Sequence, residues 1–126
     1  MPPLRITQGN AVRSTRFIAG EEQWIVVGDG DGYIHVHSLV TTAEVKKFQA
    51  HRSWVQSLSV HPSLPLLLPA SSDNLIKLWN WEEDWGCIRT FKGHTQSLEI
   101  VMFNPWNDNT FASVSLDCTI KVNSTI

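Results

Sequence analysis

Three landmarks recur along this 126-residue sequence at one spacing, and few architectures are compatible with that. Ala50-His51 returns 43 residues on as Gly93-His94, and Val60-His61-Pro62 returns 43 residues on as Phe103-Asn104-Pro105. Ser71-Ser72-Asp73-Asn74-Leu75-Ile76-Lys77-Leu78 returns 44 residues on as Ser115-Leu116-Asp117-Cys118-Thr119-Ile120-Lys121-Val122. A weaker copy, Asp31-Gly32-Tyr33-Ile34-His35-Val36, comes 42 residues earlier. A fixed period of this length means stacked supersecondary units, each of which buries its apolar faces against its neighbours. Within a repeat the apolar segments are short: Leu58-Ser59-Val60, Leu66-Leu67-Leu68, and Leu75-Ile76-Lys77-Leu78-Trp79 around one charge. Turn residues bound them, as in Pro62-Ser63-Leu64-Pro65, Ser72-Asp73-Asn74 and Asn104-Pro105-Trp106-Asn107, so they read as strands. Pro62, Pro65, Pro69 and Pro105 deny a helical solenoid of similar period.

A period of about 40–45 residues with four short strands, a Gly-His near one end and a Trp-Asp near the other resembles the WD-repeat family. The second repeat runs from Ala50-His51 to Trp79-Asn80, with Asn80 in the usual Asp place, and the third runs from Gly93-His94 to Asp117. The expected fold is all-β, an incomplete WD40 β-propeller of about two and a half to three four-stranded antiparallel blades. Residues 1–11 form an N-terminal segment, 12–49 a degenerate first blade, 50–92 the second, and 93–126 a truncated third lacking its outer strand after Val122. Each Asp lies in a tight turn where it can accept from a His ring and backbone N–H groups, so His51 with Asp73 and Trp79, and His94 with Asp117, read as structural networks. The hydroxyl that the family places four residues before the Asp is Ser113 in the third repeat, whereas Pro69 stands there in the second. The tryptophan place is Asn123 after Asp117 and His37 after Asp31.

A closer resemblance rests on Val12-Arg13-Ser14, Phe17-Ile18-Ala19, Gln23-Trp24-Ile25-Val26, Val60-His61-Pro62-Ser63-Leu64-Pro65, Leu75-Ile76-Lys77-Leu78-Trp79-Asn80-Trp81-Glu82 with Trp85, and Asn109-Thr110-Phe111-Ala112-Ser113. Together with the opening Met1-Pro2-Pro3-Leu4-Arg5, these are similar to the beta-prime subunits of coatomer, the COPI vesicle coat. The likeness covers about residues 12–122, skips that family's first blade and ends abruptly at Asn123. It implies a coat component of Golgi-to-endoplasmic-reticulum and intra-Golgi transport, located in the cytoplasm and at Golgi membranes only through the coat. The implied partners are other coat or propeller subunits and the dilysine tails of cargo proteins. In that family acidic side chains hold the lysines and basic ones hold the terminal carboxylate. Arg13 matches a basic position of that site, as a contact for the cargo carboxylate, while Ser53 and Ser72 stand where the family carries aspartates. The alternatives are a generic WD scaffold of another complex, or a truncated remnant without retained activity.

Composition excludes several other classes. Apolar residues make up 42% and charged residues 17%, with a net charge of −2, which is globular and carries no basic run for nucleic acid. Cys87 and Cys118 show no metal spacing and read as buried or half-buried free thiols. His35 and His37 would share a strand face, but without a third ligand they read as surface histidines on an edge strand, so no metal is expected. Ser71, His51 and Asp73 could be imagined as a triad, yet there is no nucleophile elbow and repeat position accounts for His51 and Asp73. The expectation is a non-catalytic protein with no cofactor. Both flanks of a partial propeller would be bare, lined by such residues as Trp54, Trp81, Trp85 and Trp106, and the chain alone should aggregate or assemble with other chains.

Overall fold

Alternating apolar and polar residues, broken by turns at every repeat, yield eleven strands in the computed structural model, which describes residues 5–125. The first repeat forms β1 (Val12–Ile18), β2 (Trp24–Asp29), β3 (Tyr33–Ser38) and β4 (Glu44–Gln49). The second forms β5 (Val55–Val60), β6 (Leu66–Ser71), β7 (Ile76–Asn80) and β8 (Gly86–Phe91). A 3-10 turn at Trp81–Glu83 precedes β8, with Asn80 Oδ1 accepting from the Glu82 N–H at 2.9 Å. The third repeat forms β9 (Leu98–Phe103), β10 (Thr110–Ser115) and β11 (Ile120–Ser124), so its third strand runs past Val122. Each repeat is an antiparallel meander in chain order, and no fourth strand joins β11 among the described residues. The fold is thus an all-β, incomplete propeller of three stacked blades.

The stack explains the residue pattern of β6, Leu66-Leu67-Leu68-Pro69-Ala70-Ser71, which is buried along its whole length. Successive side chains of a strand point to opposite faces. Leu66, Leu68 and Ala70 join Ile76, Leu78, Phe91 and Phe111 in a core between the second and third blades, whereas Leu67 joins Val26, Ile34, Val36 and Leu58 in a core between the first and second. The innermost strands add cross-blade hydrogen bonds. Ser57 and Ser59 of β5 accept the N–H groups of Val101 and Phe103 at 3.1 and 3.0 Å, and Ser14 of β1 donates to the Val55 carbonyl at 3.0 Å. These hydroxyls satisfy backbone groups that the sheet ladder leaves free.

Several sequence expectations are corrected here. His35 and His37 are not surface residues on an edge: β3 lies between β2 and β4, and both rings are buried. Cys87 and Cys118 are exposed free thiols, because β8 is an outer strand and Cys118 sits in a turn at φ +70°. Trp85 does not line a bare flank. It is buried in an aromatic cluster 5.8 Å from Trp24, 5.6 Å from Phe48 and 6.0 Å from Trp81, while Trp106 is exposed. Residues 6–11 lie along the outer flank of the first blade. Ala11 accepts the Gly30 N–H at 3.1 Å, the Gln8 amide lies 2.8 Å from His37 Nε2, and Ile6 lines a groove with Val12, Phe17 and Ile25.

Candidate interaction face

Each blade carries a polar network at the turn between its second and third strands. In the second blade His51 Nδ1 lies 2.9 Å from Asp73 Oδ2, and Asp73 also accepts the Arg52 and Leu75 N–H groups at 3.1 and 3.0 Å. His51 Nε2 faces the Pro69 carbonyl at 3.1 Å, so a backbone oxygen occupies the place of the missing hydroxyl. A carboxylate and a carbonyl only accept, so the ring serves both when both of its nitrogens carry hydrogen. In the third blade His94 Nδ1 lies 2.9 Å from Asp117 Oδ2 and Nε2 lies 2.8 Å from the Ser113 hydroxyl. There Ser113 can donate, so a neutral ring with hydrogen on Nδ1 satisfies both bonds. Thr119 adds its hydroxyl and its N–H to the Asp117 carboxylate. Trp79 stands outside the His51–Asp73 network: its indole packs 4.7 Å from Phe48, and its buried Nε1 has no hydrogen-bond partner in the structure.

The first blade builds its network from other residues. Asp31, the sequence counterpart of Asp73, does not hold the turn; Asp29 Oδ1 accepts the Asp31 and Tyr33 N–H groups at 2.9 and 3.0 Å. Buried His35 bridges Asp29 Oδ2 at 2.8 Å and Glu44 Oε1 at 2.9 Å. Asp31 instead accepts the Asn10 amide at 2.6 Å, and Asn10 follows Gly9 as His51 follows Ala50. The signal for this was present: Gly9-Asn10 lies 41 residues before Ala50-His51. Burial works to raise the Asp29 and Asp73 carboxyls, but bonds from His35 and His51 and from backbone N–H groups outweigh it and hold both below the usual carboxylate value. The Thr119 hydroxyl, against a smaller effect of burial, leads the lowering of Asp117, helped by the Thr95 N–H and His94.

These turns fix a rim where three loops meet. The Arg13 guanidinium lies 4.7 Å over the Trp54 ring, and its Nη1 donates to Gln56 Oε1 at 3.3 Å. Trp54 packs against Gly30, where any Cβ would come within 2.8 Å of the indole. The Trp54 carbonyl accepts the Ser72 N–H at 3.1 Å, and Ser72 donates its hydroxyl to Ser53 Oγ at 2.7 Å. The rim therefore joins an exposed guanidinium, seated over an aromatic ring, to a pair of neutral hydroxyls. Such a cation is suited to a carboxylate, and the hydroxyl pair offers hydrogen bonds without charge.

No hydrolytic triad is assembled from Ser71, His51 and Asp73. Fully buried Ser71 donates to the Ser53 carbonyl at 3.3 Å and accepts the Asp73 N–H, while both His51 ring nitrogens are taken up by Asp73 and Pro69. Among the described residues no group of three or more His, Cys, Asp or Glu side chains is arranged to hold a metal ion, and no helix is long and apolar enough to cross a membrane.

Comparison with known proteins agrees with the repeat architecture. The chain is 52% identical over 44 residues to coatomer subunit beta'-3 of Arabidopsis thaliana, covering 35% of this chain and 5% of that protein. It is 55% identical over 42 residues to coatomer subunit beta' of Drosophila melanogaster (33% and 5%), and 48% identical over 44 residues to that of Rattus norvegicus (35% and 5%). The match therefore spans only about a twentieth of each relative's length. The family described as "WD domain, G-beta repeat" matches residues 42–80 and 85–123, more than half of the chain. Sequence period, blade stack and family match agree, and the chain belongs to the WD-repeat family.

Proposed function

We propose that this chain is a non-catalytic interaction module of the COPI-coat type, which binds the carboxyl-terminal tails of cargo proteins on the cytoplasmic side of Golgi-derived membranes. The observation that carries the reading is the rim around Trp54. Its ring lies beneath the exposed Arg13 guanidinium, which also donates to Gln56. A guanidinium held this way loses little further freedom when it takes a carboxylate. The likeness to coatomer beta-prime subunits supports a chain-terminal carboxylate as the ligand. Ser53 and Ser72 offer only neutral oxygens to a lysine, so the lysines contribute weakly and the carboxylate dominates.

Calorimetry with a dilysine tail peptide tests this, run beside its lysine-to-alanine and carboxyl-terminal amide forms. The expected result is weak binding that is lost on amidation, weakened by Arg13→Ala, and little changed by lysine removal. Binding that is indifferent to amidation would remove the role of Arg13. Absence of all binding in a folded chain would leave a WD-repeat module whose partner is not a tail.

A further inference from the structure

The two outer flanks of the stack carry the residues of an interblade interface. Inside the molecule the second blade offers Ala70, Ile76 and Leu78 to the third, and all are buried. Their counterparts 44 residues on, Val114, Ile120 and Val122, are equally apolar and exposed. On the receiving side, Leu98, Phe103 and Phe111 of the third blade and Val55, Val60 and Leu67 of the second pack against the blade before them. The first-blade counterparts, Val12, Phe17 and Ile25, line the open groove on its outer flank. One end of the stack thus repeats the presenting half of an internal interface, and the other end repeats the receiving half. Such an interface is heterologous and continues head to tail until it closes.

We infer that two copies of this chain assemble head to tail, the third blade of each docking on the first blade of the other. The occupant is a second copy because the matching surface is present on the same molecule, continuous with the internal blade interfaces. Two three-blade stacks make a six-blade ring, within the range in which propellers close, and such a ring leaves neither flank bare. The stretch of β11 at residues 120–122 also gains a strand. Residues 5–8 stand, by repeat position, where 46–49 of β4 pair with β3, and they can supply the fourth strand to the other copy's β11.

Light scattering coupled to size exclusion, across a concentration series, tests the assembly. The expected mass is twice the 14.2 kDa of the chain. Val122→Asp on the presenting flank and Phe17→Asp on the receiving flank should each halve that mass, with circular dichroism unchanged. Mixing the two should partly restore the two-copy species, because one intact interface remains. If either variant fails to fold, Ile120→Glu and Val12→Glu make the same test. A wild-type chain that stays single at every concentration would overturn the proposal. So would a Phe17→Asp chain that pairs with itself, folded variants that do not recover on mixing, or masses that grow beyond two copies.

Discussion

The second and third blades repeat one pattern of apolar positions and present opposite surfaces. Ile76 is 2% exposed and Ile120, at the same place in the next repeat, is 74% exposed; Leu78 and Val122 are 2% and 71% exposed. Their polar turns, by contrast, are alike, with His–Asp distances of 2.9 Å in both blades. The His–Asp network closes within a single repeat, so it survives at the end of the stack. The apolar face belongs to a pair of blades, and its burial depends on what stands next to it. In a repeat stack the polar turn is therefore an intrinsic term, and the apolar face a nearest-neighbour term.

The sharpest way to break this comparison is to cut the same side chain in both places. Ile76→Ala should cost about 2–5 kcal/mol in thermal or denaturant unfolding, as cavity-forming substitutions do. Ile120→Ala, measured in the dilute single chain, should cost less than about 0.5 kcal/mol. Equal losses would mean that the third flank is covered, and the gap should narrow where copies assemble.

Acid should act on all three blades together. Asp29, Asp73 and Asp117 have folded-state pKa values below the ordinary 3.8, so they contribute stability that is fully present above that value. That contribution is lost as pH falls from about 4 through the folded values, and Tm should drop across that window. Asp73→Asn should shrink the drop. A Tm that stays level below pH 4 would contradict the assignment.

The smallest effect sharpens the polar difference at the Nε2 side of the histidine in the two blades. Pro69→Ser returns both a backbone N–H and the hydroxyl that Ser113 supplies to His94. It should stabilise by about 1 kcal/mol, a Tm rise of roughly 4 °C. No change would show that the Pro69 carbonyl serves His51 as well as a hydroxyl does.

Strand positions and the pairs His51–Asp73 and His94–Asp117 were legible because the period puts like residues in like places. Ser113 was legible for the same reason. Trp79 was misplaced, since its aromatic body settles against Phe48 and leaves the turn to the carboxylate. The Pro69 bond was invisible because a carbonyl leaves no trace in residue type. In the first blade the roles had moved to Asp29, His35 and Asn10, so a search for the usual residues found only Asp31. His35 is held by Asp29 and Glu44, and His37 by Gln8 from residues 5–11, which carry no strand pattern of their own.

That stretch gives the stack a direction in time as well as in space. A polypeptide leaves the ribosome from its amino end, at roughly 5–20 residues per second. The segment reaching from Ile6 to Ala11 is made before the blades that follow it and can lie over the first blade as soon as that blade forms. Each later blade then emerges onto a finished template, with Ser14, Ser57 and Ser59 ready to receive its inner strand. Growth is polar, like that of a filament that lengthens at one end, and during synthesis the presenting face is always the most recently made.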